Sequence, residues 1–151
     1  MTLTLRLNGA LHEITSPPDT PLIFVLRNEL KLKGTKLACG LEQCGACAVL
    51  VDGRSVLSCV TAVDAFDGQD ITTVEGIGAT EMGARVQEAF MAESAAQCGY
   101  CTAGLVVAST ALLTGNPDPD RDTVAAALTP HLCRCGSHPR VFRAIARAAG
   151  S

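Results

Sequence analysis

The chain has no tryptophan, one tyrosine and four phenylalanines, so aromatic side chains make up only 3% of its 151 residues. A protein that stacks nucleobases needs such rings, and one that neutralises phosphates needs surplus cations. Twelve basic residues here face fifteen acidic ones, a net charge of −3, which argues against nucleic-acid binding. Long apolar runs are missing too. The strongest, around Ala103 to Leu113, falls well short of the roughly 18–20 residues that cross a bilayer, so no membrane span is expected. The opening MTLTLRLNGA lacks the basic, apolar and small-residue blocks of an export signal, which points to a cytoplasmic location. No nucleophile motif, phosphate loop or telling carboxylate pair occurs, and Asp118 with Asp120 reads as a turn. Substrate chemistry is therefore expected on another chain.

What the chain does have is cysteine. Eight occur, at positions 39, 44, 47, 59, 98, 101, 133 and 135, and they fall into two groups of four. With 48% apolar and 18% charged residues the remainder has a globular balance.

The first group lies in a strand-rich region. Leu3, Leu5 and Leu7 alternate with polar residues, Asn8-Gly9 is a hairpin turn signal, and Leu11 to Thr15 can return antiparallel. Asp19 or Thr20 can cap a helix with Pro21 at its first position and an apolar stripe of Leu22, Val25, Leu26 and Leu30. Lys33 to Cys47 loses all periodicity and reads as an irregular loop. Ala48 to Val51, the turn Asp52-Gly53 and Ser55 to Val60 form a second hairpin, and Ile71 to Val74 a last strand.

The second group lies in a helical region. Arg85 to Met91 is periodic, Thr102 to Leu113 is apolar on most faces, Thr123 to Leu128 follows a Pro/Gly breaker, and Pro139 to Ala149 starts with proline. Met82 and Met91 read as packing residues. The expected class is α+β: a small mixed sheet with one helix over residues 1–76, then an all-α unit over 80–151. Units this small usually need staples. Cys98 and Cys101 precede one helix, Cys133 and Cys135 another, so two helix N-termini can face a common centre with their free N–H groups and partial positive charge.

Disulfides, zinc and iron–sulfur clusters are the three chemistries open to these thiols. Disulfides fit poorly, because no export signal is present and Cys133 and Cys135 are too close for independent bridges. The run Cys39-x4-Cys44-x2-Cys47 followed by Cys59 is the plant-type ferredoxin spacing, and Gly40 and Gly45 let backbone N–H groups approach a cluster. The second group is less specific. Cys98-x2-Cys101 with Cys133-x1-Cys135 suits a cluster but also a structural zinc, and the first pair alone is also a redox-dithiol spacing. Histidine ligation of Rieske type is not needed, since eight thiols complete two sites.

Gly34-Thr35-Lys36, Cys39-Gly40-Leu41-Glu42-Gln43-Cys44-Gly45-Ala46-Cys47, Asp52-Gly53, Gln97-Cys98-Gly99-Tyr100-Cys101 and Leu132-Cys133-Arg134-Cys135-Gly136 occur in this order. Together they resemble the small iron–sulfur subunit of molybdenum hydroxylases, the xanthine oxidase family. The match covers nearly the whole chain, and Gln43-Cys44, Asp19-Thr20-Pro21-Leu22 and Gly136-Ser137-His138 draw it toward the nicotinate dehydrogenase, isoquinoline oxidoreductase and aldehyde dehydrogenase type. Ala38, Ala103 and His138 depart from residues common in that family, but none removes a thiol.

The resemblance implies a plant-type ferredoxin-like β-grasp domain followed by a helical-bundle domain, each with a [2Fe–2S] cluster. Cys39, Cys44, Cys47 and Cys59 would hold one, and Cys98, Cys101, Cys133 and Cys135 the other. It further implies a large partner subunit with molybdenum on a pterin dinucleotide, where an N-heteroaromatic or aldehyde substrate is oxidised. This chain would carry the electrons singly to an acceptor such as a flavin subunit or a cytochrome c. Gln97 and Cys135 would approach the pterin; a plain helix-capping role is the other reading of Gln97. Arg134 would balance cluster charge or simply lie on the surface. His131, His138, Arg140, Arg143 and Arg147 read as a solvated basic face or a dock for an acidic partner. A partner's signal could also take the complex to the periplasm or the membrane. The competing reading of the whole chain is a free-standing two-cluster ferredoxin.

Overall fold

The computed structural model describes residues 3–150. Strands β1 (Leu3–Leu7) and β2 (Ala10–Ile14) pair antiparallel through a turn in which Asn8 and Gly9 both take positive φ, 50° and 82°. Strands β3 (Ala48–Val51) and β4 (Arg54–Leu57) pair in the same way across Asp52-Gly53, with φ of 48° and 80°. These primed turns match the strand twist. Strand β5 (Asp70–Thr72) lies between the hairpins, parallel to β1 and antiparallel to β3, and completes a five-stranded sheet in the order β2-β1-β5-β3-β4.

The segment after Pro21 differs from its expected form. Helix α1 covers only Leu22–Phe24 and opens into a π-helical turn over Val25–Glu29, closed by Leu30 N–H to Val25 O. Pro21 is the N-cap and no side chain caps it. A carboxylate anchors the far end instead: Glu29 accepts from the backbone N–H and hydroxyl groups of Thr15 and Ser16. A 3-10 turn at Val63–Phe66 and the short helix α2 (Val74–Ile77), neither marked by periodicity, follow.

The helical part comprises α3 (Glu81–Ala92), α4 (Thr102–Gly115), α5 (Arg121–Leu128) and α6 (His138–Ala149). Thr80 and Asp120 have extended backbones, and their side chains accept from Gly83 N–H and Thr123 N–H, satisfying donors that the first turns of α3 and α5 leave open. Gly150 ends α6 in the left-handed region.

Strand β3 joins the two parts because it is buried on both faces. Val49 and Val51 pack with Leu5, Leu7, Leu22, Leu26 and Ile71 in the core under the sheet. Ala48 and Leu50, pointing the other way by the period of two, join Leu105, Val107, Leu113 and Ile145 in the helical core. Helix α4, buried along most of its length, lies between β3 and the other helices. Met82 packs against this core, whereas Met91 is exposed.

Candidate metal centres

All eight cysteines stand as free thiols, and each group has an inner and an outer pair. In the first, Cys47 and Cys59 are buried, Cys44 is half-buried and Cys39 is exposed. In the second, Cys101 and Cys133 are half-buried while Cys98 and Cys135 face out.

The first group sits on the irregular loop before β3, with Cys59 just beyond β4. Ser58 holds that end by giving its hydroxyl to Cys47 O at 2.7 Å. The loop turns its amides inward. Leu41 and Gln43 N–H groups donate to Cys39 Sγ at 3.3 and 3.4 Å, and Glu42 N–H donates to Cys59 Sγ at 3.4 Å. Those amides bring the Cys39 thiol down to about 7, so it is prepared to be a thiolate. Cys47 goes the other way. Burial and the facing Cys59 thiol push it up to about 12.

The second group is built from helix starts. Cys101 is the N-cap of α4 and Ser137 that of α6, both with αR backbones and neither capping its helix with a side chain. Burial and the neighbouring Cys133 thiol push Cys101 up to about 12. Burial also acts to raise Cys133, but hydrogen bonds from the Ser137 hydroxyl and N–H outweigh it and lower the thiol to about 7.

Cys47 and Cys101, one in each inner pair, therefore resist ionising beside a neighbouring sulfur. Positive charge from bound metal removes that penalty, because a coordinated thiol is deprotonated outright. The hydroxyl of Thr102, adjoining Cys101, is buried without a hydrogen-bond partner. The residues present fit sulfur-ligated clusters. No three His, Cys, Asp or Glu side chains among the described residues close tightly enough on one point to hold a single ion. Four thiols around a two-iron unit are spread more widely than that.

The two groups are interlocked. Leu132 N–H, next to Cys133, donates to Cys44 O at 3.0 Å. Gly45 makes the approach possible: a Cβ there would lie 2.6 Å from Pro130 O and collide with His131 Nδ1. Gly104 on α4 completes it, since a Cβ at that position would collide with Gly45 O. From the loop between Cys98 and Cys101, Tyr100 donates its hydroxyl to Leu37 O.

Gln97 is exposed and lies outside α4, beside the exposed Cys98 and Tyr100 in sequence; Leu132, Arg134 and Cys135 on the later loop are exposed as well. The C-terminal basic run is not one solvated face. His131 is buried, and burial followed by the His138 charge lowers it to about 4, so it stays neutral. Arg143 and Arg147 pair with Glu93 at 3.2 and 3.4 Å, and Arg140 donates to Ser94 O. A groove of 590 Å³ between α5 and α6, floored by Phe142 and Ile145, contains none of the cysteines. Sequence reasoning had no signal for Ser137 or Gly104, whose roles arise from what lies opposite them.

Two family models match the chain: a 2Fe-2S iron-sulfur cluster binding domain over residues 5–73 and a [2Fe-2S] binding domain over residues 73–146. One of the nicotinate dehydrogenase subunits of Pseudomonas putida is 45% identical over 98% of this chain and 94% of its own length. The alpha subunit of isoquinoline 1-oxidoreductase from Brevundimonas diminuta is 42% identical over 95% and 94%. Among solved structures, quinoline 2-oxidoreductase of Pseudomonas putida 86 superposes with a TM-score of 0.89 at 34% identity, covering 99% of this chain and 96% of that one. Aldehyde oxidoreductase of Desulfovibrio gigas gives a TM-score of 0.91 at 34% identity, over 99% of this chain and 17% of that longer one. Thiol pattern, fold and relatives agree, and the chain belongs to the family of [2Fe–2S] small subunits of the molybdenum hydroxylases.

Proposed function

We propose that the chain is the electron-transfer subunit of a molybdenum hydroxylase complex that oxidises an N-heteroaromatic or aldehyde substrate on a larger partner. Cys39, Cys44, Cys47 and Cys59 hold one [2Fe–2S] cluster within residues 1–76, and Cys98, Cys101, Cys133 and Cys135 the other within 80–151. Each bound cluster supplies one-electron storage, so a two-electron oxidation at a molybdenum pterin dinucleotide is drained in single steps.

The observation that carries this reading is the Leu132 to Cys44 hydrogen bond. It joins the backbone of one thiol loop to the residue beside a thiol of the other, and Gly45 and Gly104 let those backbones meet. Two cluster sites joined in this way act in series. The exposed surface that includes Gln97, Tyr100, Leu132 and Cys135 is the docking side for the pterin subunit, with Gln97 and Cys135 nearest the cofactor; half-exposed Tyr100 and exposed Leu132 supply its apolar contacts. The first loop, with exposed Leu41 and Cys39, faces the acceptor, a flavin subunit or a cytochrome c.

No helix among the described residues is long and apolar enough to cross a membrane. A cytoplasmic complex is the reading proposed, with a periplasmic or membrane-associated one, reached through a partner subunit, as the alternative. Affinity purification of the tagged chain from its native cells, with mass and metal analysis, tests the assignment. Co-elution of a larger molybdenum-containing chain is expected. A stable lone iron–sulfur carrier would overturn the complex in favour of a free ferredoxin.

A further inference from the structure

Among the described residues the longer helices α3, α5 and α6 start at a hydroxyl or carboxylate side chain, and the start of α6 behaves differently. Thr80 and Asp120 have extended backbones, with ψ of 148° and 169°, and their side chains reach forward to cap α3 and α5. Ser137 has φ −79° and ψ −4°, an αR backbone, and makes no capping bond to α6. Its side chain is not idle. Only 1% exposed, it places Oγ 3.0 Å from Cys133 Sγ, while its backbone N–H points at the same sulfur from 3.4 Å. Serine is a favoured N-cap because the cap bond stabilises the helix, so diverting this hydroxyl forgoes that gain.

With Cys133 bound to iron its sulfur carries no proton, and the hydroxyl is the donor. A hydrogen bond to a ligand sulfur is strengthened when the cluster gains an electron, because the added negative charge is shared by the sulfurs. It therefore favours the reduced state. Burial keeps water from substituting for the donor. On the first loop the corresponding donors are the amides of Leu41, Glu42 and Gln43, which no side-chain replacement other than proline removes.

We propose that Ser137 is a positioning residue that raises the reduction potential of the second cluster through its hydrogen bond to Cys133 Sγ, biasing that site to accept the electron leaving the partner subunit. The inference rests on the assignment of a cluster to Cys98, Cys101, Cys133 and Cys135. The couple concerned is the one-electron change between the two-ferric state and the mixed ferric–ferrous state, with dithionite as the reductant in the test.

The experiment is an anaerobic redox titration of the purified complex followed by electron paramagnetic resonance, comparing the parent with Ser137→Ala, Ser137→Thr and Ser137→Cys. In Ser137→Ala one cluster becomes harder to reduce by about tenfold in its equilibrium, equivalent to about 59 mV for one electron, and the other is unmoved. Ser137→Thr restores the parent value. Ser137→Cys keeps the volume with a weaker donor and gives a smaller shift in the same direction, which answers the question if the alanine variant loses its cluster. Unmoved potentials in both the alanine and cysteine variants, or equal shifts of both clusters, would overturn the inference. A parent complex without two diiron signals would instead overturn the underlying assignment, and this inference with it.

Discussion

The two thiol sites hold the same number of sulfurs by opposite means. In the sheet-rich part an irregular loop turns its own amides onto Cys39 and Cys59, so the cradle is backbone. In the helical part regular elements do the work: Cys101 begins α4, and a serine hydroxyl at the start of α6 faces Cys133. A backbone cradle is indifferent to most side-chain changes but demands loop geometry. A helix-and-hydroxyl cradle tolerates regular structure and can be adjusted one side chain at a time. The sites also differ in how they are joined to the fold, since the first loop leads directly into β3, the strand both cores share.

The largest effect comes from breaking one site while sparing the other. Cys47→Ser and Cys101→Ser each remove an inner thiol and should each lower bound iron by about half, eliminating a different paramagnetic signal. Loss of both signals from either variant would mean that the sites do not assemble separately. Gly104→Ala tests the interlock. Its Cβ collides with Gly45 O, and such overpacking destabilises by about 1–3 kcal/mol, to be seen as a lower melting temperature together with weaker magnetic coupling between the clusters. Gly115→Ala at the other end of α4 meets nothing within 4 Å and should leave both readouts almost unchanged.

A smaller change is expected for Tyr100→Phe, which removes the hydroxyl donated to Leu37 O. Loss of about 0.5–1.5 kcal/mol is the usual scale for one such bond, and thermal unfolding measures it. The smallest effect is confined to the sheet-rich part. Burial acts to raise Glu29, but hydrogen bonds from Ser16 and Thr15 outweigh it and lower the carboxyl from 4.5 to about 2. A carboxyl lowered on folding adds stability that is fully present above pH 4.5 and is lost as the pH falls toward 2. Glu29→Gln should therefore melt slightly below the parent at neutral pH, with the gap closing in acid; a gap that widens on acidification would contradict the assignment.

Much of this was legible in the sequence because it is local. Asn8-Gly9 and Asp52-Gly53 specify their turns through residues that accept positive φ, and the cysteine spacing specifies ligands through chain geometry. The apolar run from Thr102 reads as a buried helix because nearly every face of α4 is covered. What sequence patterning missed depends on partners distant in the chain. The stripe Leu22, Val25, Leu26, Leu30 predicts an ordinary helix, yet the segment widens into a π turn whose last carboxylate is claimed by Thr15 and Ser16. Ala48 to Val51 reads as one arm of a hairpin, and only packing of Ala48 and Leu50 against the helices explains why β3 is apolar throughout. Gly104 carries no local signal, because its role is set by Gly45 O opposite it. Ser137 stands in the sequence only as part of Gly136-Ser137-His138, and its role comes from an αR backbone that turns the hydroxyl to sulfur.

The central claim is that this chain carries two separate diiron centres, each held by four of its own sulfurs. Electron paramagnetic resonance of the anaerobically isolated, dithionite-reduced complex, with iron and sulfide quantified on the same sample, tests it most directly. Two distinct reduced [2Fe–2S] signals in equal amount are predicted, whereas a single signal, or negligible iron with none, would contradict it.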